Sequence, residues 1–237
     1  MQFGQLRRRE FITLLGGAAA WPLAAHAQQP VMPMIGFLSS RASSGSATLI
    51  AAFHQGLKEA GYVEGQNTMI AFRWAEGHYD RLPALAAELV GMRVTVMVAA
   101  GGGPTPRVAR AATTTIPIVF MTGDDPVAVG LVESFNRPGG NATGVSQLAI
   151  AMEAKRLEIL RELIPKISVI AMLINPNNPQ SSVQSKEISD AARVIGVQLH
   201  ILNASTEQDF ETVFPMLIRQ QTEALIVGAD PFFTSRS

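Results

Sequence analysis

The stretch Val169-Ile170-Ala171-Met172-Leu173-Ile174-Asn175-Pro176-Asn177-Asn178 puts six apolar residues of strand length directly in front of a cluster of turn formers. An earlier stretch, Met34-Ile35-Gly36-Phe37-Leu38-Ser39-Ser40, has the same design. Each is followed by a helical pattern, and then by a glycine that leads towards the next strand, Gly61-Tyr62-Val63 in one case and Gly196-Val197 in the other. Nearly continuous apolar runs are expected of parallel strands covered on both faces. Further runs of this kind are Thr68–Trp74, Val94–Ala100, Ile116–Met121, Val197–Leu202 and Ala224–Val227. Strands alternating with helices predict a doubly wound sheet. Because the pattern starts again at Val169, the prediction is two Rossmann-like α/β lobes.

The helices are legible from their apolar stripes. Leu49, Phe53 and Leu57 recur at intervals of four residues, as do Leu85 and Leu89 beside Leu82 and Ala86. Leu157, Leu160, Leu163 and Ile164 form a stripe ended by Pro165, and Ile188, Ala191, Ala192 and Ile195 precede Gly196, a stop signal. Ser205-Thr206-Glu207-Gln208 reads as a capping box for the last long helix, in which Pro215 predicts a kink or interruption. The Gly/Pro-rich stretch Arg137-Pro138-Gly139-Gly140-Asn141-Ala142-Thr143-Gly144 is read as the lobe boundary, either a hinge or an ordinary surface turn. It divides the chain into 1–27, 28–144 and 145–237.

Residues 1–27 are read as an export signal. Arg7, Arg8 and Arg9 precede the apolar run Phe11–Leu23, and Ala25-His26-Ala27 forms a cleavage site before Gln28. The run is shorter than a membrane span, which needs about 20 residues. Arg8-Arg9-Glu10-Phe11-Ile12 resembles the twin-arginine export motif, the route favoured here over the general one, and the expected destination is the periplasm.

Composition excludes several functions. Hydrophobic residues make up 47% of the chain and charged residues 16%, which does not fit a disordered tail. Basic and acidic residues both number 19, so nothing favours nucleic acid as a partner. There are no cysteines, which removes disulfides, thiol catalysis and Cys–zinc sites. His54, His78 and His200 are scattered, so no metal site is expected. No G-x-S-x-G elbow occurs, and Gly101-Gly102-Gly103-Pro104-Thr105 lacks the spacing of either nucleotide fingerprint. No cofactor and no catalytic residue is therefore predicted.

Ligands of open α/β sheets bind beyond the carboxyl ends of the strands. That rule nominates Ser39, Ser40, Gly101, Gly102, Thr122, Asp124, Asn175 and Asp230. Hydroxyls, amides and helix N-termini suit a carboxylate, and an aspartate suits an ammonium group. Several also have a plainer explanation: an N-cap for Ser39-Ser40, an Asn-Pro turn for Asn175, and a turn or cap for Asp124 or Asp125. Trp74 and Tyr79 are read either as an aromatic wall or as packing.

Several segments together resemble one family. They are Asp80–Val90, Ile116–Phe120, Asp125-Pro126-Val127 with Gly130-Leu131-Val132, Arg137–Val145, and Lys155–Leu160. Their order resembles the ABC-transporter substrate-binding proteins of the tryptophan/tyrosine-uptake-like group, which have the type I periplasmic binding fold. Thr95, where relatives often carry an acid, and Pro215 are departures. Relatives continue well past Asp230-Pro231, so the resemblance implies an incomplete second lobe. It also implies a monomeric, non-enzymatic receptor that closes on an amino acid or similar small solute and docks on an ABC permease. Two other readings stay open, a periplasmic α/β enzyme using Asp124 or Asp125 and a solute sensor for a membrane receptor.

Overall fold

The computed structural model describes residues 32–147 and 152–234. The leader expected at 1–27 lies outside the described residues. Five strands, β1 (Met34–Ser39), β2 (Met69–Trp74), β3 (Val96–Ala100), β4 (Ile118–Thr122) and β5 (Ala142–Ser146), form one parallel sheet in the order β2-β1-β3-β4-β5. Three more, β6 (Val169–Ile174), β7 (Gln198–Asn203) and β8 (Ala224–Val227), form a second parallel sheet in the order β7-β6-β8. The two sheets and their helices are the two α/β lobes that the repeated pattern predicts.

Helices α1 (Ala47–Glu59), α2 (Leu82–Gly91) and α3 (Pro104–Ala112) serve the first sheet. The α2–α3 face is the denser one. Leu38, Met97, Ala99, Ile118 and Phe120 pack there under Leu82, Leu85, Leu89 and Ala109. Val94 and Leu89 fill the space above Gly36, where a Cβ would come within 3.2 Å of both. On the other face Phe37, Phe53, Phe72 and Trp74 form an aromatic cluster with Phe72 and Trp74 stacked, yet no residue of α1 is fully buried. Trp74 is thus packing, the plainer of its two readings.

The second lobe carries α4 (Glu153–Leu163), α5 (Ser181–Ile195), α6 (Glu207–Arg219) and the short α7 (Pro231–Thr234). Leu157, Ile170, Met172, Ile188 and Ala192 pack on one face of its sheet. Ala171, Leu173, Leu202, Val213, Phe232 and Phe233 pack on the other. Gly196 closes α5 in the left-handed conformation at φ 73°, as its position predicts.

Four details depart from the sequence reading. The eighth strand, β5, was hidden in the Gly/Pro-rich stretch, and it carries the first sheet past Gly144 to Ser146. Its start is anchored by Asn141, whose side-chain amide donates to the carbonyls of Thr113 and Ile116. The capping box is one residue further along than expected, on Thr206 and Asp209, with the Asp209 carboxylate accepting from the N–H groups of Ser205 and Thr206. Helix α6 runs through Pro215 without a break. The α4 stripe is only half used, since Leu157 is sealed while Leu163 and Ile164 are exposed.

Candidate ligand cleft

The carboxyl ends of the two sheets look onto one cleft of about 470 Å³. That is within the roughly 300–1,000 Å³ usual for small-molecule sites. The first lobe contributes Arg41, Gly101–Gly103, Met121–Gly123 and Gln147 to its walls. The second contributes Arg156, Asn178, Val227–Pro231, Phe233 and Thr234. In each sheet the cleft opens where the chain reverses direction across the sheet, between β1 and β3 and between β6 and β8.

Of the residues nominated from sequence, Gly101, Gly102, Thr122 and Asp230 line the cleft, and Ser39, Ser40, Asp124 and Asn175 stand behind it. The Ser40 hydroxyl donates to the Gly101 carbonyl at 2.6 Å, and the Ser39 hydroxyl accepts from the Arg41 N–H at 3.1 Å. Neither serine caps α1, which starts at Ala47, so both brace the turn beside the cleft. That turn needs glycine. Gly101 has φ 92° and Gly102 φ 88°, and a Cβ on Gly101 would meet the Ser39 hydroxyl at 2.6 Å.

Asp230 is the hub of the second wall. Its Oδ1 accepts from Asn175 Nδ2 at 3.1 Å and from the Phe232 N–H at 2.7 Å. Its Oδ2 accepts from Asn178 Nδ2 at 2.6 Å and from the Tyr79 hydroxyl at 2.8 Å. Four donors fill the four lone-pair sites of a carboxylate. Tyr79 belongs to the first lobe, so this last bond joins the lobes; burial, then the Asp230 charge, push the Tyr79 hydroxyl far above its ordinary pKa. Two more polar links cross between lobes, Arg41 Nη2 to the Thr234 carbonyl at 3.2 Å and Gln180 Nε2 to Asp124 Oδ2 at 3.4 Å. Among the described residues Asp124 Oδ1 is enclosed with no partner, and burial raises the Asp124 pKa against the opposing charge of Arg107. Asp125 is occupied in a turn, its Oδ1 accepting from the N–H groups of Val127 and Ala128.

The cations of the cleft escaped the sequence reading. Arg41 has a half-buried guanidinium whose Nε has no partner among the described residues, and burial lowers its pKa. Arg156, one helical turn after Glu153, reaches towards Glu153 Oε1 at 3.5 Å and the Val227 carbonyl at 3.4 Å. Arg41 had a faint signal, since it directly follows the strand-end pair Ser39-Ser40. Arg156 lies in the segment Lys155–Leu160 that carries the resemblance, but nothing local shows which way a helical arginine points. Among the described residues no three His, Asp or Glu side chains gather as metal ligands.

The model of the ABC transporter substrate binding protein family matches residues 43–236. The chain belongs to that family. Members are binding proteins, not enzymes, so the enzymatic reading through Asp124 or Asp125 falls away. A tyrosine-binding protein of Clostridioides difficile is 28% identical over 185 residues, covering 76% of this chain and 53% of the relative. A conserved domain protein from Vibrio cholerae superposes with a TM-score of 0.70 at 25% identity, over 82% of this chain and 64% of that one. The Streptococcus pneumoniae ABC domain in complex with L-Trp gives 0.67 at 22% identity, over 86% and 67%. This family member therefore spans about half the length of the curated relative and about two thirds of the solved structures. Its α/β fold in two parallel sheets is that of periplasmic binding proteins. Among the described residues no helix is long and apolar enough to cross a membrane.

Proposed function

We propose that the chain is the substrate-binding component of an ABC importer, holding a small solute, an amino acid or similar, in the cleft between its lobes. The observation that carries this reading is the cleft itself, walled by both sheets at their carboxyl ends and bridged by three polar links. Gly101, Gly102 and Thr122 form the first-lobe wall against which the solute rests. Ser39, Ser40 and Asn175 hold that wall and its partner in shape, and Asp230 and Asp124 tie one lobe to the other. The relative named for tyrosine and the structure with bound L-Trp support an aromatic amino acid as the first solute to try. Export by the twin-arginine route, residence in the periplasm and delivery to an inner-membrane permease complete the proposal, and the Arg8-Arg9 motif supports its first part.

A solute bound only by the folded state raises the melting temperature, by about 2.7 kcal/mol of stability at a hundredfold excess over Kd. Thermal melts of the chain against amino acids and small carboxylates are expected to show a saturable rise with one chemical class. A cooperative melt that no member of the panel shifts contradicts the proposal.

A further inference from the structure

We propose that Asp124 is a positioning residue for closure: a neutral Asp124 lets the lobes shut on a solute and an ionised one resists it, so binding tightens as pH falls. The inference rests on the receptor reading above and adds its regulation.

The contact that carries it lies wholly within the described residues. Asp124 follows β4 in the first lobe, and the loop 175–180 that covers it follows β6, the middle strand of the second sheet. Gln180 Nε2 donates to Asp124 Oδ2 at 3.4 Å, across 56 residues of sequence. The same loop sits over the start of α3. A Cβ on Gly103 would lie 3.8 Å from both Asn178 Oδ1 and Gln180 Cγ, and 3.9 Å from Asp124 Oδ2. Asn178 ties the loop down, accepting from the Gln180 N–H at 2.9 Å and donating to Asp230 Oδ2 at 2.6 Å. The cover over Asp124 therefore belongs to the opposite lobe, and parting the lobes lets water reach the carboxyl group.

Burying a charged carboxylate costs far more than burying a neutral acid unless donors compensate it. Here Gln180 offers Oδ2 one long bond, and among the described residues Oδ1 is enclosed without a partner. The charge of Arg107 on α3 and the Gln180 and Thr122 bonds favour the ion, yet burial outweighs them. The neighbouring acids do not help. Asp125 is turned to the N–H groups of Val127 and Ala128, and Asp230, reached through Asn178, is an acid too. The Gln180 amide, donor and acceptor in one group, meets a neutral carboxyl as readily as a charged one. Closure thus makes Asp124 hold its proton more tightly than the opened, hydrated site does. By linkage the closed form is favoured at low pH, and that preference is lost as pH rises through the raised pKa of the closed form.

Calorimetric titration of the chain with L-tryptophan and L-tyrosine, in steps from about pH 7.5 to 5, tests this, since both amino acids keep their charges over that range. Wild-type affinity is expected to rise by about threefold or more as pH falls, within the roughly tenfold per pH unit that one proton allows. Titration in buffers of different ionisation enthalpy should show proton uptake on binding. Asp124→Asn keeps the shape of the neutral acid. At about pH 7.5 it is expected to bind as tightly as wild type does at about pH 5, with a flatter profile and less uptake. A purely structural role gives the opposite result, weaker binding by the same factor at every pH, and that outcome overturns the inference. So does a slope that survives in Asp124→Asn and vanishes in Glu153→Gln. Small-angle scattering supplies a readout that needs no solute. The solute-free radius of gyration of wild type is expected to shrink over the same pH steps, while that of Asp124→Asn stays small throughout. If neither amino acid binds, a solute-free wild-type radius that is constant with pH overturns the inference by itself. The receptor reading falls separately, when the whole panel leaves the melt unshifted.

Discussion

Asp124 shows what burial does to a single carboxyl group in this protein. It is 3% exposed, among the described residues Oδ1 is enclosed without a hydrogen-bond partner, and Oδ2 accepts a 3.4 Å bond from Gln180. Desolvation is the largest influence and raises its pKa; the Arg107 charge and the Gln180 and Thr122 bonds oppose it without prevailing. The folded state therefore binds the Asp124 proton more tightly than the unfolded chain, where an aspartate titrates at about 3.9. Stability from this group is fully present below that value and is lost as pH rises through the raised folded pKa. Glu153, sealed at 0% exposure with its pKa raised chiefly by burial, acts with the same sign. Asp124→Asn keeps the shape of the neutral acid and removes its titration. Urea midpoints followed from about pH 4 to 7.5 are expected to fall less steeply for Asp124→Asn than for wild type, with Glu153 supplying the remaining slope. The variant should be the more stable of the two at neutral pH. Superimposable profiles would show that Asp124 ionises without cost in the folded state.

Elements differ in how plainly a sequence announces them, and the two kinds of strand here show why. Strand β6 was legible to the residue because both faces of its sheet are covered, so every position is apolar, and β8 because its four residues are apolar even at the edge. Strand β5 reads Ala-Thr-Gly-Val-Ser and buries only Ala142 well, so its hydropathy resembles that of a turn. What makes it a strand is nonlocal: it lies at the edge of the sheet, in register with β4 from Ile118↔Ala142 to Thr122↔Ser146. Gly144 is essential to that register, because a Cβ there runs into the Phe120 carbonyl and ring. Gly144→Ala is expected to cost about 1–3 kcal/mol, the usual penalty of overpacking, since Phe120 is sealed at 3% exposure and has nowhere to move. Gly56→Ala provides the opposite case. It adds its methyl to open space in α1 and should stabilise by about 0.5–1 kcal/mol. Denaturant unfolding of both variants checks the pair, and equal small effects would mean that β5 yields at no cost. Thr206 and Asp209 teach a related lesson, because the capping motif was recognised while its register needed the geometry.

At the scale of the whole molecule, the carboxyl-end rule leads to the shelf where the cleft opens in both sheets but does not say which side chains line it. Local strand ends name Ser39, Ser40 and Asn175, yet their polar atoms are committed to the neighbouring loops. The choice is settled by contacts between residues distant in sequence, and the bond from Tyr79 to Asp230 is the longest-range of those on the hub. It has a consequence for closure. A two-lobed receptor can open only by giving up its interlobe bonds, and the solute must then restore them. Tyr79→Phe deletes the hydroxyl while keeping the ring, and leaves Asp230 Oδ2 with Asn178 alone. Loss of a bond to a charged acceptor, about 1.5–3 kcal/mol, shifts the ligand-free chain towards the open form. Small-angle scattering should then show a larger radius of gyration for the solute-free variant than for wild type. Saturation with a solute that binds in calorimetry should return the variant to the wild-type value. If Tyr79 only supports the packing around Asp230, the melting temperature falls while the two radii agree in both conditions. The scattering difference, and its removal by solute, therefore separates a bond that governs closure from one that merely stiffens a wall.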